Sequence, residues 1–235
     1  MQEVSITTEG IQKNLKSFKP LDALCEYIWN GFDAQADRVD VKLYTNEFGL
    51  LNMISIEDNG TGIVYEELGD KFKPFNDSKK YDISKKVNHS LPHGRQGIGR
   101  LTFFAFAQRA RWNTVYEKSG NKYEYYIDME KDTLNQYDDN GGKKPQITGK
   151  NVGTEVIFTQ VQQFSKDDIV EKIKIEFFWF LELNKPRNFQ ILVDGEKVTY
   201  DEFIIKKIEF VPAAELTYKY EISIEIGRAS CRERV

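Results

Sequence analysis

The chain has 235 residues, is 40% hydrophobic and 30% charged, and carries a formal charge of −4. Those values fit one large soluble domain, or one domain with part of a second. They exclude a membrane-spanning helix, since no apolar run reaches about 18 residues, and the acidic balance argues against a dedicated nucleic-acid module.

The first ten residues have neither a basic start nor an apolar core, so they do not read as a secretory signal. The first strong element is a helix over Pro20–Asp33. Pro20 suits a first helical position, and Leu21, Leu24, Cys25 and Ile28 recur at helical spacing. Cys25 falls in that apolar stripe and reads as a small buried hydrophobe. The other cysteine is Cys231, and no Cys or His cluster has ligand spacing, so neither a disulfide framework nor a zinc site is expected. A reducing, cytoplasmic compartment is the default.

Val39, Val41 and Leu43 alternate as in a strand, residues 46–49 form a turn, and residues 51–57 return as a second strand of a hairpin. Residues 63–93 are rich in lysine and broken by Pro74, Asn76, Ser78, Asn88 and Pro92. A polar segment of that length inside a compact domain reads as a functional lid or a disordered loop. Leu101, Phe104, Ala105 and Ala107 predict a helix over 100–111. Strands follow at 112–116 and 122–128, then a polar turn at 138–144 and a strand at 153–158. A helix is predicted over Lys166–Leu183, with an aromatic run at its end. Asp194-Gly195 is a hairpin signal between 188–193 and 197–200. Further strands run from 209 to 226. The expected domains are 1–165 and a partial second unit at 166–226. Residues 227–235 resemble the conceptual translation of a common DNA-sequencing adapter, so they are set aside as a non-native tail. Their removal takes away three arginines and one glutamate and leaves the rest more acidic.

Three stretches carry chemistry. Glu26, Asn30 and Asp33 share one side of the first helix, because they are spaced four and three apart. Carboxylate and amide oxygens are hard ligands that suit Mg²⁺, and a glutamate beside that metal can activate a water. Asp58 follows an apolar strand and precedes Gly60 and Gly62. A carboxylate there can accept a hydrogen bond from an exocyclic amine, and the glycines permit a tight turn and the approach of a flat ring. Gly94, Gly97 and Gly99 precede the Arg100 helix, where backbone N–H groups can meet an anion, with Arg95, Arg100 and Gln96 nearby. Taken singly, the three also fit a solvated helix face, an ordinary turn after a strand and a plain helix entry. The glycine loop is neither a dinucleotide fingerprint nor a Walker A loop, since no strand leads into it and no Gly-Lys-Ser/Thr follows.

In this order the stretches resemble the motifs of the GHKL ATPase superfamily, named for gyrase, the ninety-kilodalton heat-shock chaperone, histidine kinases and MutL. Glu-x-x-x-Asn-x-x-Asp-Ala is matched by Glu26, Asn30, Asp33 and Ala34. Asp-x-Gly-x-Gly is matched by Asp58, Gly60 and Gly62, and Gly-x-x-Gly-x-Gly by Gly94, Gly97 and Gly99. A Gly-Thr before a strand is matched by Gly153 and Thr154. The stretch 94–116 looks most like the chaperone and MORC branches.

The resemblance implies an α+β Bergerat fold, a two-layer sandwich of a mixed sheet covered by helices, followed by the start of a transducer domain. It implies ATP and Mg²⁺ as ligands, with Glu26 as general base, Asn30 as the magnesium ligand and Asp33 either supporting those ligands from behind or contacting the nucleotide. Asp58 would meet the adenine amine, with Gly60, Gly62 and Thr154 shaping the base pocket. Gly97, Ile98, Gly99 and the Arg100 backbone would meet the phosphates. The implied activity is ATP hydrolysis that drives lid closure and homodimerisation of a larger switch or clamp, whose further domains and whose client, nucleic acid or protein, the sequence does not name. Two alternatives stand beside it: phosphotransfer of the histidine-kinase type, and an ATP-sensing module that does not hydrolyse. Against the first, His89 and His93 are the only histidines and both lie in the lid.

Overall fold

A computed structural model describes residues 7–72 and 98–201, together with the backbone of 206–210 and 220–224. Helix α1 (Thr8–Leu15) is capped by Thr7, whose hydroxyl accepts from the Gly10 N–H at 3.2 Å. Helix α2 (Pro20–Asp33) starts on Pro20, where the missing N–H costs nothing. Eight of its fourteen residues are buried, which is more than one stripe, because it is enclosed on several sides. Strands β1 (Arg38–Thr45) and β2 (Leu51–Asp58) form the expected antiparallel hairpin. Its turn is closed by Asn46, whose side-chain oxygen accepts from Phe48 and Leu50, each at 3.0 Å. A short helix α3 (Leu68–Phe72) follows.

After the undescribed stretch comes a 3-10 segment, Gly99–Ala105. Then come β3 (Arg109–Lys118), β4 (Asn121–Glu130), the two-residue strands β5 (Asp138–Asp139) and β6 (Gln146–Ile147), and β7 (Gly153–Thr159). Helix α4 (Lys166–Leu183) is capped by Ser165, whose hydroxyl accepts from the Asp168 N–H at 3.0 Å. Strands β8 (Gln190–Val193) and β9 (Glu196–Lys197) flank Asp194-Gly195, and β10 (Lys206–Phe210) pairs with β11 (Tyr220–Ile224) in a separate two-stranded sheet.

The main sheet runs β5-β4-β3-β7-β2-β1-β8-β9, with β6 also on β4. It is mixed, because β8 lies parallel to β1 while the other ladders are antiparallel. Strand alternation puts Val39, Val41, Ile54, Ile56, Ala110, Trp112, Ile127, Val156 and Phe158 on one face, all buried against the helices. The fold is therefore α+β, a sheet with helices on one side, as expected.

One expectation is corrected. The segment 100–111 is not one α-helix: it is a 3-10 turn that ends at Ala105, and β3 has begun by Arg109. Phe103 and Phe106 are both buried there. An α-helix continued along 104–111 would remove Ala110 from its place in the sheet opposite Phe158 and Met129. The boundary expected at 165/166 does not coincide with any break in the core. Helix α4 packs on α2 through Trp29 and Phe177, with ring centroids 4.4 Å apart, and through Phe32 and Phe180 at 4.8 Å. Strand β8 extends the same sheet from β1. The aromatic run of α4 thus packs into the core around α2. Among the described residues, no helix is long and apolar enough to cross a membrane.

Candidate functional site

The site forms where α2 crosses the end of β2. Gly31 lets the helix approach: a Cβ there would stand 2.9 Å from the Val39 side chain and 3.0 Å from the Asp58 Cβ. Any larger residue would lift the helix off the strand that carries Asp58. Glu26, Asn30 and Asp33 leave the buried helix on one half-buried stripe.

Asp58 sits at the end of β2, paired with Thr154 of β7. Its Oδ1 accepts from the Gly60 N–H at 2.8 Å. Burial pushes its carboxyl up to about 6, against the opposing pull of hydrogen bonds from the Gly60 and Thr154 backbone. The structure gives Gly60 and Gly62 a different reason from ring approach. A Cβ on Gly60 would lie 2.5 Å from the Ala34 carbonyl oxygen, and one on Gly62, where φ is +69°, 2.1 Å from that of Val115. These glycines seat the loop against α2 and β3. Thr61 N–H donates to the Ala34 carbonyl at 2.9 Å. The Asn59 side chain accepts from the Asp37 and Arg38 N–H groups at 3.1 Å each.

Gly99 is the glycine that faces the polar stripe. Its Cβ position would lie 3.3 Å from Glu26 Oε2 and 3.9 Å from Asn30 Oδ1. That is a cradle of two hard oxygens against bare backbone, a donor set that suits Mg²⁺. Among the described residues no group of three or more His, Cys, Asp or Glu side chains is arranged to hold a metal. A cation here would therefore take most of its ligands from phosphate and water, as Mg²⁺ prefers. Ile98 and Arg100 flank Gly99. The Arg100 guanidinium turns toward the end of α3, where Nη2 donates to the Phe72 carbonyl at 2.8 Å and the group lies 5.6 Å from the Phe72 ring centre. Burial holds it down to about 10. Gly94 and Gly97, with most of the expected lid, lie outside the described residues.

Several residues without a motif of their own build the same region. Thr114 on β3 is buried; its hydroxyl accepts from the Ile63 N–H at 2.9 Å and lies 3.1 Å from the Thr154 hydroxyl. A signal for it exists in the sequence: among the inward positions Ala110, Trp112, Thr114 and Tyr116, it alone carries an aliphatic hydroxyl. Tyr27 and Thr102 join α2 to the 3-10 turn. Tyr27 OH donates to the Arg100 carbonyl at 2.8 Å and accepts from the Phe103 N–H at 3.1 Å.

A broad hollow is lined by Arg38, Asp40, Lys42, Glu57, Glu124 and Lys150, and also by Asp58, Thr114 and Thr154 of the candidate site. Its charges neutralise one another in pairs, Arg38 with Asp40 at 2.8 Å, Lys42 with Glu57 at 3.0 Å and Lys150 with Glu124 at 2.6 Å.

Fold and motif order together define an ATP-binding domain of the GHKL, or Bergerat, class. The chain belongs to the family described as histidine kinase-, DNA gyrase B- and HSP90-like ATPases, whose sequence profile matches residues 18–159. It is similar in structure to the ATPase region of Saccharomyces cerevisiae topoisomerase II, at 18% identity, covering 81% of this chain and 55% of that one with a TM-score of 0.53. It is likewise similar to the ATPase and transducer domains of DNA topoisomerase II from Balamuthia mandrillaris, at 17% identity over 76% of this chain and 48% of that one, with a TM-score of 0.52. In sequence it is 29% identical over 103 residues to a putative type II restriction enzyme, HgiDII, of Herpetosiphon aurantiacus. That match covers 44% of this chain and 15% of the relative. The chain thus spans about half of the solved relatives and a small part of the sequence relative.

Proposed function

We propose that this chain binds ATP with Mg²⁺ in the pocket between α2 and the end of β2, and hydrolyses it. The observation that carries the reading is the convergence of the Glu26 carboxylate and the Asn30 amide on the bare Gly99 backbone, with Asp58 held beneath the same helix at Gly31. Asp58 accepts a hydrogen bond from the adenine amine, with Thr154, Gly60 and Gly62 shaping the base pocket. Asn30 holds the metal, Asp33 contacts the nucleotide, and the backbone of Gly97 to Arg100 meets the phosphates. Glu26 takes a proton from the attacking water, a role worth about 10²–10⁴-fold in rate. The metal, when bound, neutralises charge on the phosphoryl oxygens.

In the larger protein, ATP draws the segment between α3 and Gly99 over the triphosphate and promotes a homodimer, and hydrolysis resets it. A partial transducer-like unit spans 166–226 and includes β10 and β11. Duplex DNA is the first client to test, because the Herpetosiphon relative is named as a restriction enzyme.

The test is phosphate release with ATP and Mg²⁺, alongside a thermal-shift titration, since a ligand that binds only the folded state raises its melting point. Glu26→Ala is expected to lose turnover and keep the ATP-induced shift. Equal phosphate release from the wild type and the variant contradicts the base assignment.

A further inference from the structure

Tyr27 follows Glu26 in the chain, yet it points away from the polar stripe. It is 3% exposed, packed with Phe158 at a centroid distance of 4.7 Å and with Phe106 at 6.3 Å. A buried phenol needs partners for its hydroxyl. Its hydroxyl meets the Arg100 carbonyl and the Phe103 N–H, both on one short piece of backbone. That backbone is the 3-10 turn that begins at Gly99. Thr102 adds a second stitch: its hydroxyl donates to the Gly99 carbonyl at 2.7 Å and also lies 3.3 Å from the Ala23 carbonyl on α2.

The consequence is geometric. Glu26 and Asn30 ride on α2, and Gly99 rides on the turn. The distance between them is fixed by whatever holds the turn to the helix. Apolar packing is non-directional and sets the layer spacing; the Tyr27 hydroxyl, donating at one residue and accepting at another, fixes the position of the turn along the helix. We propose that Tyr27 is a positioning residue that holds the Gly99 turn in register with Glu26 and Asn30, so that it governs recognition of the triphosphate while leaving recognition of the base to Asp58. The proposal rests on the ATP-binding reading above.

The experiment compares the affinities of ATP and adenosine, both with Mg²⁺, for the wild type and for Tyr27→Phe. Removing the hydroxyl leaves the Phe103 N–H without its acceptor and frees the turn to shift. The expected result is about a tenfold loss of ATP affinity with adenosine affinity changed less than about twofold, since one hydrogen-bonded contact is worth about that factor. Loss of folded protein lowers both affinities by the same factor and leaves their ratio unmoved, so the ratio reports position and not stability. Thr102→Val is expected to move the ratio in the same direction. Ile173→Val, a core trim on α4 remote from the turn, is expected to leave it unchanged. A ratio identical in the wild type and Tyr27→Phe overturns the proposal. A wild type that binds neither ligand overturns the ATP-binding reading instead.

Discussion

Gly99 stands against Glu26 so closely that a methyl group added at residue 99 would lie 3.3 Å from the carboxylate oxygen Oε2. That contact is tighter than ordinary van der Waals separation, yet its partner is the end of a flexible side chain. Gly99→Ala is therefore expected to fold, with a melting temperature within a few degrees of the wild type. Its ATP turnover is expected to fall about tenfold or more, because the added methyl group displaces the carboxylate of Glu26, the proposed base. Circular dichroism melting and phosphate release on the same sample check both halves.

Two other glycines fail differently. At Gly31 a Cβ would meet the tip of Val39 and the Asp58 Cβ at about 3 Å, and Ala gains about 1 kcal/mol over Gly in a helix interior. At Gly153, where φ is +150°, a Cβ would lie 2.2 Å from the Asp58 backbone oxygen, which cannot give way. Gly153→Ala is expected to be the more damaging by a clear margin, on the order of 1–3 kcal/mol or more. Urea denaturation of the pair gives the ranking; equal midpoints would show that the strand does not constrain residue 153 as described.

Asp58 gives a pH dependence whose sign is unusual for a carboxylate. Its pKa rises from the ordinary 3.8 to about 6 in the fold. Between those values the folded state holds the extra proton, so this residue contributes stability at low pH that is lost as pH climbs toward 6. Asp128 acts in the opposite direction, since its ion pairs with Arg109 and Arg111 hold its carboxyl low despite burial. The proposed hydrogen bond from adenine would favour the ionised form of Asp58, so ATP affinity is expected to weaken about tenfold from pH 8 to pH 5. Asp58→Asn should flatten the Asp58 part of both profiles, in melting temperature and in affinity.

Chelation separates the two ends of the pocket. EDTA is expected to diminish the ATP-induced rise in melting temperature and to leave any adenosine-induced rise intact, since the described residues offer a cation few ligands of their own. Asn30→Ala in Mg²⁺ should reproduce the effect of EDTA on the wild type. A variant that still gains fully from Mg²⁺ would move the metal contact elsewhere.

The sequence was most legible where a local signal agreed with the tertiary need. Pro20 and the apolar spacing mark α2 with its observed bounds, and the helix expected over Lys166–Leu183 is α4 in full. The segment after Gly99 differs from its helical spacing, because the residues buried there are Leu101, Thr102, Phe103, Phe106 and Ala107, which do not form one helical stripe. Tyr27 OH draws the turn tight from a part of the chain 76 residues away. Beyond the 165/166 boundary expected from the sequence, Phe177 and Phe180 find their partners in Trp29 and Phe32, and no local pattern announces a contact across that separation. For the candidate site, motif spacing picks out Glu26 and Asn30, and the structure brings both to Gly99. It does not show the work of Gly60 and Gly62, because the atoms that exclude a side chain there belong to Ala34 and Val115.

Isothermal titration of ATP with Mg²⁺ into the wild type, Glu26→Ala and Asp58→Ala tests the pocket most directly. One site per chain is predicted for the wild type and for Glu26→Ala, with binding lost or weakened at least about a hundredfold in Asp58→Ala. Undiminished binding to folded Asp58→Ala would contradict the account, because adenine would then be held somewhere other than beneath α2.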